Sequence, residues 1–379
     1  MTPKTRERSA SRVVALFPEL LGAGGIQLAG RLTAVALSRI ALERGWDIDF
    51  LSLNDPAGPQ TFSSSDEEVR FRGFGRSKAR FALAALGVAR KQPRIALAVH
   101  PHLTLVTEKM KLLSPRLKLA AMSHGVEVWR PLPAGRRRAL LKANIFVAPS
   151  RYTLEQIVQQ QGAPKDKTVL LPWPLDPDFL KMSEKVGVLR APPKFPGGIV
   201  VLAIARLASE EKYKGVDQLI RAVAQLATRF PLLRLAIAAT GDDVARHQEM
   251  ARDLGLSNRV CFFEGLSPVE IAGCYSRCDV FALPSTGEGF GFVFLEAMAF
   301  GKPVLAASTG GVTDIVEHER NGLLVRPDDA DHLIECLARL LESESLRKGL
   351  GQRGAETASS KFRFENFQSS LEKILAEIS

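Results

Sequence analysis

The chain has 379 residues, 46% of them hydrophobic and 24% charged, which is typical of a globular protein and excludes collagen, coiled coils and bulk disorder. Its formal net charge is +10, and the excess lies entirely in residues 1–180, which carry +12, whereas residues 181–379 carry −2. This length predicts two domains, and the basic half predicts a surface for an anionic partner, either nucleic acid or anionic lipid.

The cysteines and the N-terminus predict a cytoplasmic protein. All four cysteines lie in the second half, without the spacing of a zinc site or a disulfide framework. The segment Met1–Ser11 is basic and polar, and the apolar run after it is too short for a signal peptide. Ile95–Thr107 is among the longest uncharged stretches, yet it falls short of the roughly 18 apolar residues of a spanning helix. We therefore expect neither export nor a membrane span.

The first half alternates apolar runs with helical patterns. Val13–Phe17 has the composition of a buried strand, and Ile26–Arg44 has helical spacing that ends at Gly45. Further short strands are predicted at Asp47–Leu53, Ile95–Val99, Leu117–Met122 and Ile145–Ala148.

The loop between the first strand and helix contains Gly22, Gly24 and Gly25, a placement that suits an anion at a helix N-terminus. Gln27 stands where the dinucleotide fingerprint has its third glycine. Asp49 lies at a suitable distance along the sequence for a ribose-binding acid, so a nicotinamide enzyme remains an alternative. The loop could also be a tight turn that binds no ligand.

Basic residues occur in three groups in this half. Arg70–Arg80 runs into the apolar segment Phe81–Ala89, Lys109–Leu113 is followed by further cations, and Arg136–Arg138 forms the third group. Cations beside apolar residues are typical of a helix on a membrane surface, whereas solvated helix faces are the alternative, which we favour for Arg136–Arg138. Without an aromatic platform or a known motif, the charge favours lipid over nucleic acid.

The second half repeats the strand and helix alternation. A helix is predicted at Val216–Arg229, and strands at Gly198–Ile204, Arg234–Ala239, Val260–Phe263, Val280–Leu283 and Val304–Ala307. The six prolines between Pro172 and Pro196 indicate a linker. The pattern predicts an α/β protein of two Rossmann-like, doubly wound domains, residues 1–180 and 181–359, with a ligand cleft beyond the carboxyl ends of the strands.

The segment Ser285–Val304 combines features of a nucleotide-sugar site. Three glycines at alternate positions, Gly287, Gly289 and Gly291, expose backbone amides after a predicted strand, and a helix begins near Phe292. Its N-terminus would attract a diphosphate. Glu288 and Glu296 would repel phosphate, so we expect them to bind hydroxyl groups of a sugar and a ribose.

This segment resembles the Glu-x7-Glu signature of the retaining glycosyltransferases of family four, also called glycosyl transferases group 1, which have the GT-B fold. The resemblance covers nearly the whole chain, through Ala205–Leu207, Lys212–Asp217, Thr309–Val316, Asn321–Val325, Ser123–Trp129 and Ala148–Thr153. Two stretches depart from the family pattern, Trp173–Asp176 before the linker and Asp314 in place of a glutamate.

The resemblance implies a role for each matching residue. His124, Arg206, Lys214 and Glu288 are the expected catalytic residues: the two cations bind the donor diphosphate, Glu288 contacts the sugar and His124 orients it. Lys212 competes with Lys214, because two extra residues follow Arg206. Glu296 is expected on the ribose. Further donor contacts are expected from Gly24, Gly25, Gly265, Leu266, Gly289, Phe290, Gly291 and Phe292, and acceptor-side contacts from His124, Glu127 and Trp129. Phe290 and Phe292 could equally belong to the core, and His100 and His102 are interpreted as lining or structural residues.

The implied activity is transfer of a hexose from GDP-mannose or a UDP-hexose to a glycan or lipid-linked acceptor, with retained configuration and front-side attack. It requires neither a metal nor a cofactor, and it suits polysaccharide or glycolipid synthesis at the inner face of a membrane. The helix at 360–379 is expected to pack on the first domain. A sugar-nucleotide epimerase or phosphorylase of the same fold and a non-catalytic sugar-binding protein remain alternatives.

Overall fold

A computed structural model describes residues 11–64, 66–185 and 189–378 of the chain. The basic N-terminal segment up to Ala10 lies outside the described residues. The chain divides into two units, Met1–Trp173 with Glu365–Ser379, and Pro174–Phe364. The predicted domain boundary at residue 180 falls inside the helix Pro177–Ser183, whose Phe179 packs against Tyr275 and Phe300 of the second unit.

The first unit contains an eight-stranded sheet in the order β3-β4-β2-β1-β5-β6-β7-β8, parallel except for the β3–β4 pair. Its strands are β1 Arg12–Phe17, β2 Asp47–Ser52, β3 Gly58–Ser64, β4 Glu67–Gly73, β5 Ile95–Ala98, β6 Lys118–Met122, β7 Ile145–Ala148 and β8 Thr168–Leu170. Its helices are α1 Gly25–Arg44, α2 Lys78–Ala89, α3 Thr104–Met110, α4 Ala134–Leu140 and α5 Arg151–Gln156, the last continuing as a π-turn over Ile157–Gln161. The C-terminal helix, α13 Phe364–Ile378, also belongs to this unit from its second residue onward.

The central strands form because their residues are apolar on both faces. Val13–Phe17 of β1 is almost fully buried between β2 and β5, as parallel strands covered on two sides require. Helix α1 ends at Gly45, whose φ of 63° is favourable for glycine. The Gly45 N–H donates hydrogen bonds to the carbonyls of Ala41 and Leu42. Phe367 of α13 packs on Trp173, so the two ends of this discontinuous unit meet.

The first basic group is divided between a strand and a helix and does not form one continuous helix. Arg70 and Arg72 lie on β4, the strand next to the sheet edge, which was not predicted because its basic residues were interpreted as part of a helix. Helix α2 begins only at Lys78, and Phe81 is buried in the core of the unit. Leu83 on the other face is 69% exposed.

The second unit contains a six-stranded, fully parallel sheet in the order β11-β10-β9-β12-β13-β14. Its strands are β9 Ile199–Arg206, β10 Leu233–Thr240, β11 Val260–Glu264, β12 Val280–Leu283, β13 Val304–Ala307 and β14 Leu323–Val325. Its helices are α6 Pro177–Ser183, α7 Val216–Leu226, α8 Val244–Asp253, α9 Pro268–Arg277, α10 Phe292–Ala299, α11 Ala330–Glu342 and α12 Glu344–Lys361. Two parallel-sheet α/β units confirm the predicted fold class.

Among the described residues, no helix combines the length and apolarity needed to cross a lipid bilayer. The same residues contain no group of three His, Cys, Asp or Glu side chains arranged to hold a metal ion.

Candidate active site

The candidate donor residues of the second unit gather at one edge of its sheet. Strands β9, β12 and β13 are parallel neighbours, so their carboxyl ends meet at the same edge. Arg206 is the last residue of β9, the segment Ser285–Gly291 follows β12, and the 3-10 turn Gly310–Asp314 follows β13. Ligands of doubly wound sheets bind at this edge.

Glycine allows these loops to pack backbone to backbone. A Cβ on Gly287 would lie 2.3 Å from the Tyr213 ring, and one on Gly311 would lie 2.0 Å from the Gly289 carbonyl oxygen. The Thr286 N–H donates to the Tyr213 carbonyl over 2.8 Å, and the Gly311 N–H donates to the Glu288 carbonyl over 2.7 Å. The backbone around Glu288 is therefore held from two sides.

The side chains of Lys214 and Glu288 form an ion pair within this frame. Lys214 Nζ lies 2.8 Å from Glu288 Oε1, and the two side chains are only 18% and 13% exposed. Lys212, the sequence competitor, is exposed at the start of the same 3-10 turn. The structure thus brings Lys214, and not Lys212, to Glu288.

Arg206 is connected to this pair through Glu211 and Tyr213. The Glu211 carboxylate accepts hydrogen bonds from Nε and Nη2 of Arg206. Within the described part of the chain, the outer Nη1–Nη2 side of the guanidinium is left available to a second anion. Burial opposes ionisation of Glu211, but the hydrogen bond from Arg206 holds its pKa below the usual value. Tyr213 also hydrogen-bonds Glu211, and its ring lies beneath the Lys214 ammonium at 5.3 Å.

The second signature acid lies one turn into α10. Gly291, with a φ of 109°, caps this helix without a side-chain hydrogen bond. Glu296 is half-buried, and its Oε2 receives a hydrogen bond of 3.0 Å from the Tyr275 hydroxyl. Burial of the carboxyl raises the pKa of Glu296 to about 7, with Asp176 adding to the effect and Tyr275 opposing it.

The remaining donor-side predictions are distributed around this edge. Phe290 is 3% exposed and packs on Phe362, whereas Phe292 is half-buried at the start of α10. Gly265, with a φ of 65°, and Leu266 directly follow β11, two strands away from β9. The side chain of Phe290 therefore belongs to the hydrophobic core, which was one of the two possibilities that the sequence left open. Its backbone remains in the loop.

In the first unit, His124 is buried in an aromatic stack. Its ring lies 5.4 Å from Trp173 at 16° and 5.8 Å from His100 at 24°. Nε2 is 2.6 Å from the Val99 carbonyl oxygen, and Nδ1 has no hydrogen-bond partner within the described parts of the chain. Burial lowers the pKa of His124 despite the opposing influence of Glu127.

The other acceptor-side predictions have structural partners of their own. Glu127 accepts a hydrogen bond from the His124 backbone N–H, so these two residues are brought together. Trp129 instead donates its indole N–H to Thr153 Oγ1 over 3.3 Å. His100 Nδ1 accepts from the His102 N–H, a local contact that agrees with a structural role.

The glycine loop of the first unit precedes α1 as predicted. Gly24 has a φ of 131° and Gly25 is the first residue of the helix, while a Cβ on Gly24 would lie 2.8 Å from the Gln27 amide oxygen. Asp49, the acid of the nicotinamide alternative, is paired with Arg12 at 2.9 Å on β2. This ion pair gives Asp49 a structural partner on the neighbouring strand β1.

Sequence reasoning missed Glu211, Tyr213 and Tyr275 as members of the site. The chain has three tyrosines in all, and two of them contact candidate donor residues. Their scarcity in a chain with 20 phenylalanines was a usable signal, because a buried tyrosine needs a partner for its hydroxyl.

Comparison with known proteins places the chain among sugar-transferring enzymes. The family model described as "Glycosyl transferases group 1" matches residues 189–357. A GDP-mannose-dependent alpha-(1-6)-phosphatidylinositol monomannoside mannosyltransferase of Mycolicibacterium smegmatis is 31% identical over 278 residues, 68% of this chain and 70% of that protein. A D-inositol 3-phosphate glycosyltransferase of Corynebacterium jeikeium is 35% identical over 175 residues, but the match spans only 44% of this chain and 42% of that protein.

A solved structure extends the likeness to nearly the full length. Sucrose-phosphate synthase from Thermosynechococcus elongatus superposes with a TM-score of 0.78 at 21% identity, covering 97% of this chain and 99% of that one. At this identity the likeness bears on the fold, and it confirms the expected GT-B architecture of two Rossmann-like domains.

Proposed function

The chain belongs to the group 1 family of glycosyl transferases, and we propose that it transfers a hexose from a nucleoside diphosphate sugar to a glycan or lipid-linked acceptor. The observation that carries the proposal is the Lys214–Glu288 ion pair held between Tyr213 and Gly311 at the carboxyl edge of the second sheet. Lys214 provides a cation for a phosphate group, and Glu288 beside it provides a carboxylate for sugar hydroxyls.

The chemistry of the leaving group explains why this pairing suits transfer. When the bond between the anomeric carbon and the phosphate oxygen breaks, negative charge develops on the diphosphate. Lys214 and the outer fork of Arg206 stabilise that charge more in the transition state than in the ground state, which is what accelerates a reaction. Amide groups at the N-terminus of α10 add to the positive field.

We propose that transfer proceeds with retention and by front-side attack. The acceptor oxygen forms a bond to the anomeric carbon on the face from which the diphosphate departs, and the departing phosphate oxygen takes the acceptor proton. Glu288 holds sugar hydroxyls in this scheme, and Lys214 and Arg206 supply the positive charge. We further propose that neither a metal ion nor a cofactor is needed and that His124 orients the donor sugar.

Donor choice is open to a direct test. We would screen UDP, GDP and ADP by thermal shift, then follow nucleotide release from GDP-mannose, UDP-glucose and UDP-galactose. The acceptors are inositol 3-phosphate and phosphatidylinositol monomannoside, which the names of the two relatives suggest. We expect binding of UDP or GDP and turnover with one donor, whereas absence of any nucleotide binding would refute the proposal.

Three controls separate the finer parts of the proposal. Lys214→Ala and Glu288→Ala should abolish transfer while circular dichroism stays native, and normal turnover in either variant would reject its role. Full activity after exhaustive treatment with EDTA is expected for a metal-independent enzyme. The anomeric configuration of the product, read by NMR, decides between retention and inversion.

We also propose that the first unit contacts an anionic membrane, which would place the protein at the inner face of a membrane. Burial lowers the pKa of Lys111, and the nearby charges of Lys118, Lys142 and Lys167 lower it further. Leu112, next to Lys111, is 81% exposed. A cluster of lysines around an exposed leucine has the chemistry of a surface for anionic lipid.

Vesicle flotation tests this contact. We expect binding to vesicles that contain phosphatidylglycerol and little binding to vesicles of pure phosphatidylcholine. The double variant that combines Leu112→Ser with Lys142→Glu should lose this binding. The matched control is Leu42→Ser, which removes a leucine that is 86% exposed on α1. Equal and negligible binding to both vesicle types would refute the membrane contact without affecting the proposed transfer.

A further inference from the structure

Tyr275 is fully buried in the second unit and still carries a hydroxyl group. It lies on α9, 0% exposed, among the rings of Phe179, Phe281 and Phe300, with centroid distances of 5.7 to 5.8 Å. A phenylalanine would fill this aromatic cluster equally well. The hydroxyl therefore needs an explanation beyond packing, because burying it costs free energy unless it is hydrogen-bonded.

The hydroxyl is directed at two oxygens of α10. It lies 3.0 Å from Glu296 Oε2 and 3.1 Å from the Val293 carbonyl oxygen. Within the described residues, Oε1 of Glu296 receives no hydrogen bond, so the carboxyl is held by one oxygen and the other is unengaged. Held in this way, the carboxyl loses rotational freedom before any ligand arrives.

We propose that Tyr275 is a positioning residue that holds Glu296 Oε2 and thereby presents Oε1 to a ribose hydroxyl of the nucleoside diphosphate. The inference deepens the proposed function and rests on it, because it assumes that Glu296 meets the ribose. It assigns Tyr275 to recognition of a ribonucleotide over its 2′-deoxy counterpart. The recognised chemistry is a vicinal diol beside a diphosphate.

A phenol suits this position because it can serve both protonation states of the carboxyl. Toward an ionised Glu296 the Tyr275 hydroxyl donates its proton to Oε2. Toward a protonated Glu296 the Tyr275 oxygen accepts from the carboxyl and donates to the Val293 carbonyl instead. The ionised form is the stronger acceptor for a ribose hydroxyl, so ribose recognition should strengthen as Glu296 loses its proton.

The pH at which this happens follows from the groups that face Glu296. Burial raises its pKa to about 7, the Tyr275 hydroxyl from α9 lowers it, and Asp176 at the N-cap of α6 raises it. Removing the Tyr275 hydroxyl should therefore move the midpoint of ribose recognition to higher pH. Replacing Asp176 with asparagine, which can still cap α6, should move it to lower pH.

The experiment compares the affinities of a ribonucleoside diphosphate and its 2′-deoxy form by titration calorimetry from pH 5.5 to 8.5. The probes are UDP with dUDP and GDP with dGDP. For the wild-type chain we expect a ribose preference of about tenfold above pH 7.5 that shrinks below pH 6.5, since a buried polar group left unpaired costs about that much. In Tyr275→Phe we expect the preference to fall about fivefold, the size of one hydrogen bond, with its midpoint shifted upward.

Phe300→Leu is the matched control, since it removes a ring from the same aromatic cluster and leaves the hydroxyl in place. It should keep the wild-type ribose preference and midpoint. An unchanged preference in Tyr275→Phe, or an equal loss in Phe300→Leu, would overturn the positioning role. Binding of UDP or GDP without any ribose preference would overturn the inference and leave the proposed function standing, whereas no binding of either nucleotide would overturn both.

Discussion

Replacing Glu288 with glutamine should change nucleotide binding and sugar transfer in opposite directions. The carboxylate contacts Lys214 at 2.8 Å, in a setting where both side chains are less than a fifth exposed. Glutamine has nearly the same shape but no charge, so Lys214 loses its counter-ion while the loop packing around Gly287 and Gly311 is preserved. The freed ammonium group should attract a diphosphate more strongly, whereas the sugar loses its charged acceptor.

The magnitude follows from the geometry of the pair. Two unit charges 4 Å apart interact by about 4 kcal/mol at an effective dielectric constant of about 20. Because solvent still reaches both side chains, we expect about 1 to 2 kcal/mol to be gained in diphosphate affinity, or about five- to thirtyfold in Kd. Leaving Lys214 without its partner should also lower the free energy of unfolding by about 1 to 3 kcal/mol in the absence of nucleotide.

The assay combines calorimetry with UDP or GDP, turnover with the matching nucleotide sugar, and urea unfolding. Lys214→Met supplies the opposite perturbation and should weaken nucleotide binding about tenfold or more. Glu317→Gln, which removes an exposed carboxylate paired with Arg320, is the control for charge alone and should change none of the three. If Glu288→Gln weakened nucleotide binding as much as Lys214→Met does, the pair would serve to position Lys214, and the reasoning about a freed cation would be refuted.

Three further predictions concern other parts of the molecule. Glu211→Gln should lower kcat at least tenfold with little loss of nucleotide affinity, because the outer fork of Arg206 loses its orientation while its charge is no longer neutralised; an unchanged kcat in steady-state assays would contradict this. Gly311→Ala should lower the free energy of unfolding by about 2 kcal/mol or more, because its Cβ would lie 2.0 Å from a carbonyl oxygen; a wild-type urea midpoint would show that the loops can separate. Burial and its neighbours lower the pKa of His100 from 6.5 to about 3, so the unfolded chain binds a proton that the folded chain does not, and stability should fall as pH drops below 6.5. His100→Asn should flatten that fall by up to about 1.4 kcal/mol per pH unit, and parallel stability curves for variant and wild type would exclude the effect.

Much of the fold was predictable because the central strands are apolar on both faces. Val13–Phe17 and Val304–Ala307 are short apolar runs bounded by loops, and both are strands in the structure within one residue of the prediction. Strand β3 was missed because Phe62 is its one large apolar residue. Strand β4 was missed although Val69 and Phe71 alternate with polar residues, because its arginines were interpreted as part of a helix.

In the candidate site too, residues that stand in local sequence patterns were predicted, whereas their packing partners were not. Glu288, Gly291 and Lys214 stand in recognisable local patterns, so the sequence indicated them and the structure places Lys214 on Glu288. The partners of these residues are set by tertiary packing. Tyr275 lies 21 positions before Glu296 and meets it only because α9 and α10 pack together around β12, which no local pattern reveals.

The first unit is built from two separate segments of the chain, and this affects how fragments of the protein can be designed. A fragment that ended at Trp173 would lack α13, and the indole that stacks on His124 would lose its cover from Phe367. The second unit, in contrast, is one uninterrupted segment of the chain, Pro174–Phe364, so a fragment that contains all of it needs no rearrangement of the gene. A single fragment that contains all of the first unit has to join Trp173 to the C-terminal helix through a designed connection.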